Sequence, residues 1–118
     1  LERFIARVES NAHVEAVEEF YTVDATQQEN QQAPRVGRDA HAANERRVMA
    51  RAKAVSSTCV RPVLHDGDRV AIRWIFQFDW LDGTRTRMEE IAWQRWEGDR
   101  IAEEIFFYDP AQRTPKPV

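Results

Sequence analysis

The chain has 118 residues, 42% of them hydrophobic and 31% charged, which is the size of one domain and the balance of a globular rather than a disordered chain. Its 17 basic residues are interleaved with 20 acidic ones for a formal net charge of -3, so no basic excess is available to neutralise phosphates and nucleic acid is not expected as a partner. The longest apolar stretch is broken by Arg73, Gln77 and Asp79, so no membrane span is expected either.

One cysteine, Cys59, leaves no internal disulfide to form and suits a reducing compartment, so a cytoplasmic location is the expectation; Cys59 itself reads as a small buried strand residue. No signal peptide is visible, although the sequence opens on Leu1 rather than Met.

In chain order, Leu1, Phe4, Ile5 and Val8 fall at helical spacing and predict a helix over 1–8. Asn11 can cap a second helix over about 12–21, with Val14, Val17, Phe20 and Tyr21 on its apolar side. Residues 24–32 are polar with no helical stripe and read as a short strand and loop. Pro34 and Gly37 interrupt the chain, and a helix rich in the good helix formers Ala and Arg follows over about 39–54, with Asp39 as its N-terminal anion or cap.

From Val55 the apolar period changes to two. Strands are expected over 55–65, 69–80, 84–96 and 101–109, joined by Asp66-Gly67-Asp68, Asp82-Gly83 and Gly98-Asp99, turn signals that make neighbours antiparallel. Helices followed by such a meander predict an α+β fold, one domain over 1–110 with a frayed tail over 111–118.

Face alternation locates the core. Val70, Ile72, Trp74, Phe76, Phe78 and Trp80 share one face of a strand and must meet the helices. Glu90, Gln94 and Glu104 fall on the same side, and polar groups converging among apolar ones make a small-molecule pocket. The opposite face collects Ile75, Ile91, Trp93, Ile105 and Phe107, rimmed by Arg73, Asp79, Glu89, Arg95 and Glu103. Such a patch predicts a homodimer through the outer sheet face.

Three stretches carry a family resemblance: Phe20-Tyr21-Thr22-Val23-Asp24-Ala25-Thr26, Val36-Gly37-Arg38-Asp39-Ala40, and the run from Arg87 to Trp96 continued through Arg100-Ile101 to Phe106-Phe107-Tyr108-Asp109-Pro110. In order and spacing they resemble the SnoaL-like branch of the nuclear transport factor 2-like superfamily, which includes ketosteroid isomerases and polyketide cyclases. The resemblance implies a cone-shaped, curved antiparallel sheet on N-terminal helices, a cystatin-like α+β barrel, with a pocket for a small apolar, cyclic or polyketide-like molecule. It implies a carboxylate base at Glu29, a few residues after Asp24-Ala25-Thr26. Phe4 and Ala92 stand where ketosteroid isomerases keep their oxyanion-binding tyrosine and aspartic acid, so the base position is kept in type while its partner chemistry differs.

The candidate catalytic residues are therefore Glu29 as base, with His41, Glu90 and Tyr108 as acid or orienting groups. Candidate substrate contacts are Trp74, Phe76, Phe78, Ala92, Gln94, Glu104 and Phe106; candidate dimer contacts are Arg73, Ile75, Ile91, Trp93, Ile105 and Phe107. A structural alternative pairs Glu90 or Glu104 with Arg46, Arg47 or Arg51. His13 and His65 read as exposed, no His/Cys spacing resembles a metal site, and no phosphate loop or nucleophile elbow is present. The expectation is a cofactor-independent isomerase, cyclase, dehydratase or hydrolase, with a non-catalytic ligand-binding or interaction module as the alternative.

Overall fold

A computed structural model describes residues 1–118. The chain forms α1 (Glu2–Glu9), α2 (His13–Phe20), β1 (Tyr21–Glu29), β2 (Arg35–Val36), α3 (Arg38–Arg51), β3 (Ala52–Asp66), β4 (Arg69–Trp80), β5 (Thr84–Glu97), β6 (Arg100–Phe107), a 3₁₀ turn at Pro110–Arg113 and β7 (Lys116–Pro117). No helix is long and apolar enough to cross a membrane.

The sheet runs β2-β1-β6-β5-β4-β3 with β7 on β5, and it curls without closing into a barrel. Links of two or three residues make β3, β4, β5 and β6 an antiparallel meander, as their turn signals require. The one parallel joint is β1 against β6. It arises because the first strand returns beside the last, and no local pattern announces it.

Irregular register gives the sheet its curvature. Shifts occur between Tyr21 and Thr26, between Val60 and Leu64, and between Arg95 and Trp96. The last places Ile101 and Ala102 both in the core, at 0% and 7% exposure, although strict alternation would put Ile101 outside.

The helices cover one face. Phe4, Ile5 and Val8 of α1 and Ala16, Val17 and Phe20 of α2 are buried against the sheet with Ile72, Trp74, Ala92 and Ile101. Around Phe4 the core is closed by edge-to-face contacts with Phe20, Tyr21 and Trp96 at 5.6–6.2 Å between ring centres. Cys59 is buried as expected.

Several local expectations are corrected. Asn11 does not cap α2; it adopts φ 67° and accepts a hydrogen bond from Ser57 Oγ instead. The N-cap of α3 is Gly37, whose φ of 100° suits a residue without Cβ; Asp39 sits in the first turn, where its charge favours the helix. That helix ends at Arg51, three residues early, because Ala52 already pairs with Trp80. Strand begins at Tyr21, inside the span expected to be helical, on the strand formers Tyr21, Thr22 and Val23, and the polar residues that follow continue it by pairing with β6 and β2. The tail expected to fray is docked: Gln112 Oε1 accepts from the Glu89 amide at 2.7 Å, and Lys116 pairs with Arg85.

Candidate functional site

Between the concave sheet face and the helices lies a cavity of about 620 Å³. The inward stripe of β4 makes one wall, with Trp74 stacked on Phe76 at 5.3 Å and Phe78 on Trp80 at 5.1 Å. Val8, Ala16 and Val17 line the helical side. Leu81, 68% exposed, stands at the mouth with Asp82, Arg51 and Pro115.

Four carboxyl groups reach this cavity: Glu29 from the end of β1, Glu45 from α3, Glu90 from β5 and Glu104 from β6. Each is raised above the usual carboxylate range, first of all by burial. Glu90 is pushed to about 8, with the charges of Glu29, Glu104 and Glu45 adding to its desolvation. Glu45 is pushed to about 7, with Glu104 adding and Arg35 opposing. Neither owes anything to a hydrogen bond.

Glu29 is held differently. Arg113 and Arg35 oppose its desolvation, and the Tyr108 hydroxyl donates to Oε1 at 3.4 Å. Arg113 lies 3.9 Å from the same oxygen and donates to the Tyr108 hydroxyl at 3.2 Å. Glu29 Oε2 is buried and meets no donor.

Glu104 forms the polar floor. Tyr21 and Gln27 donate to its Oε1, Gln27 at 3.0 Å, and Gln94 donates to Oε2 at 2.6 Å. Behind them Trp96 donates to Gln94 Oε1 at 2.9 Å, and Arg35 donates to Gln27 Oε1 at 2.6 Å. Each polar atom thus has a fixed direction, as a buried network needs.

The sequence therefore brings Glu29, Glu90, Glu104 and Tyr108 to one cavity with Trp74, Phe76, Phe78 and Phe106. Three candidates lie elsewhere. His41 is fully buried outside the cavity lining: Nε2–H donates to Ala25 O at 2.6 Å, and Nδ1 accepts from Arg35 Nε at 3.2 Å. Burial holds it neutral, with its pKa lowered, so it positions Arg35 rather than facing a ligand. Ala92 and Gln94 are also fully buried, Gln94 behind Glu104 because its amide must bridge Glu104 and Trp96.

His13, expected at the surface, is 8% exposed and lines the cavity, where desolvation takes it down to about 4. Its Nε2 lies 2.8 Å from Ser57 Oγ, and Nδ1 is 3.8 Å from Glu45. Glu45, Arg35 and Arg113 complete the site without having been singled out. Glu45 is the one glutamate of α3, next to the exposed Arg46 and Arg47, and it turns inward through the packing of α3 against β1, which no local pattern encodes. The helix arginines do not meet Glu90 or Glu104: Arg46 pairs with Glu18, and Arg51 lies 5.2 Å over Trp80.

On the convex face, Ile91, Trp93 and Phe107 are 39%, 38% and 41% exposed, with Ile75 and Ile105 half-buried beside them. Arg73 pairs with Glu89 at 3.5 Å, and Arg69 with Glu103 at 3.2 Å.

No curated protein matches the sequence. Three solved structures similar to the chain share its fold at low identity. A protein from Catenulispora acidiphila DSM 44928 with a ketosteroid isomerase-like fold, solved in complex with trimethylamine, is 18% identical over 91% of this chain and 83% of its own, with TM-score 0.76. A protein from Mesorhizobium loti, described as a SnoaL-like polyketide cyclase, is 19% identical over 91% and 94%, with TM-score 0.74. An NTF2-like protein of unknown function from Burkholderia pseudomallei K96243 is 13% identical over 92% and 87%, with TM-score 0.76. The family model for the SnoaL-like domain matches residues 1–104, and with the helix-covered, unclosed sheet and its cavity this makes the chain a member of the SnoaL-like domain family.

Proposed function

We propose that the chain is a cofactor-independent acid–base enzyme, an isomerase, cyclase, dehydratase or hydrolase, acting on a small, largely apolar cyclic or polyketide-like molecule in a reducing compartment such as the cytoplasm. One observation carries this reading: a single apolar cavity holds two carboxyl groups whose surroundings suit opposite roles. Arg113 and Arg35 favour an ionised Glu29, while Glu90, at about 8, keeps its proton near neutrality. Carboxyl groups divided in this way are the mark of assigned base and acid.

Glu29 then takes a proton from a carbon beside a carbonyl, or from water. Glu90 gives its proton to the oxygen on which charge develops. Tyr108 orients Glu29, and the aromatic wall excludes water. Against a panel of lactones, epoxides, steroids and aromatic polyketides, a bound substrate raises the melting temperature with occupancy. For a compound that is turned over, Glu29→Gln lowers kcat by about 100-fold or more with little change in KM. Full activity in Glu29→Gln refutes the mechanism; ligand stabilisation without turnover leaves a binding module.

We also infer that two chains pair through the convex face, with Trp93 and Phe107 at the centre and the ion pairs of Arg73 and Arg69 at the rim. Sedimentation equilibrium is expected to give a dimer at micromolar concentration and a folded monomer for Trp93→Glu. A wild-type monomer throughout the concentration range overturns the pairing.

A further inference from the structure

We propose that the cavity takes an organic cation: a small molecule carrying an ammonium or another protonated nitrogen on an apolar or aromatic body. The proposal names the ligand class of the site assigned above and rests on that assignment for its location.

The charges lining the cavity are unbalanced in place as well as in number. Arg35 is committed to Gln27 and His41, Arg113 to Tyr108, and Arg51 to the face of Trp80. No guanidinium forms an ion pair with Glu45, Glu90 or Glu104, and the His13 ring near Glu45 is neutral. Glu104 is satisfied by its three donors, which leaves Glu45 and Glu90 as cavity-facing carboxyls without a hydrogen bond. Glu29 adds a buried oxygen that meets no donor. An anionic ligand would be repelled by this set. A neutral one would leave it unpaired, which is costly in an apolar site.

The wall beside these groups suits a cation. Trp74, the register partner of Glu90, stacks on Phe76, and the ladder continues through Phe78 to Trp80. Aromatic faces attract cations through their quadrupole, and more strongly when desolvated. The ladder already does so at its outer end, where Arg51 sits 5.2 Å over Trp80. A ligand cation further in would have the aromatic wall on one side and Glu90 on the other.

Binding and ionisation are linked. Empty, the cavity stays near neutral by keeping protons on Glu90 and partly on Glu45. A cation favours the charged forms and expels a proton first from Glu45, the less tightly held of the two, so that Glu90 keeps the one it donates. The charged groups around Glu90 are Glu29, Glu104, Glu45 and Arg113, and a cation relieves the repulsion from the first three. Affinity therefore rises as pH goes from about 6 to 8.

The test is calorimetric titration of the wild-type protein at pH 7.5 with benzylamine, benzyl alcohol and benzoate, in phosphate and in Tris. The expected result is benzylammonium bound at least ~10-fold more tightly than the alcohol, benzoate excluded, and a buffer-dependent heat reporting proton release. Glu90→Gln and Glu45→Gln should each reduce the preference for the cation, and Glu45→Gln should also reduce the release. Alcohol bound as tightly as the amine, preference for benzoate, or no binding of the amine at millimolar concentration overturns the proposal. The acid–base reading fails separately. Glu29-dependent turnover of a neutral panel compound without amine binding removes only the cation, whereas amine binding with proton release and no turnover of any compound removes only the catalysis.

Discussion

Glu104→Leu is expected to lower stability by about 3–5 kcal/mol, the largest effect of any single substitution in the site. Glu104 is 1% exposed and takes three hydrogen bonds, from Tyr21, Gln27 and Gln94. Leucine fills the volume but leaves a hydroxyl and two amides buried without an acceptor, at roughly 1–3 kcal/mol each. The donors cannot simply turn over: Gln94 Oε1 is held by Trp96 and Gln27 Oε1 by Arg35. Against a total stability of roughly 5–15 kcal/mol this is enough to leave the domain marginal. Glu104→Gln is the milder change. Its oxygen still accepts from Tyr21 and Gln27, and only its amide opposes that of Gln94, so about 1–2 kcal/mol is lost. Urea unfolding midpoints of the two variants separate the cases. A leucine variant within about 1 kcal/mol of wild type would mean that the network is not what holds the floor.

The contrast between Glu104 and Gln94 also marks how far the sequence could be read. Strand alternation puts both on the concave side, and that is where they are. The alternating stripe of β4 and the Gly/Asp turns specified the meander, because period and turn chemistry are local properties. Depth is not local. Whether an inward polar residue lines the cavity or lies behind its floor depends on which neighbour covers it, so Gln94 and Ala92 were expected at the surface of a pocket that they only support. The same holds for His41, whose place at the end of the first turn of α3 gives no sign that Ala25 and Arg35 take both of its ring nitrogens. His13 erred the other way. It opens a short helix, a place that reads as exposed, but its ring sits over the paired residues Ser57 and Phe76 of β3 and β4, 5.3 Å from Phe76 and with Nε2 2.8 Å from Ser57 Oγ. β1 is only partly legible because Asp24 and Gln27–Glu29 have little strand propensity, and its pairing with β6 spans most of the chain. Arg113 falls in the stretch 111–118, which reads as a loose tail, yet that tail returns it to within 3.9 Å of Glu29.

The buried ionisable groups lead to a pH profile that the surface ion pairs do not supply. His13 is lowered to about 4 from an ordinary value near 6.5, so its contribution is complete above about 6.5 and is lost as pH falls toward 4. Glu90 and Glu45 are raised to about 8 and about 7 from ordinary values near 4.5. In the window between those values the folded chain holds protons that the unfolded chain has released, so stability falls as pH rises; Glu29 and Glu104, also raised, act in the same direction. Below about 6.5 the histidine and the carboxyls oppose one another. Above it His13 is neutral in both states and the carboxyls act alone. The melting temperature should therefore decline between about pH 6.5 and 8, by roughly 5 °C for a loss of about 1–2 kcal/mol. Glu90→Gln carries no charge to desolvate and should melt above the wild type at pH 8, with a flattened profile there and little difference at pH 5. Melting curves across this range decide the matter. A wild-type profile that is level from pH 6.5 to 8, or a glutamine variant no more stable at pH 8, would show Glu90 to be solvated and ionised in the folded chain, and would remove the proton donor from the proposed chemistry at the same stroke.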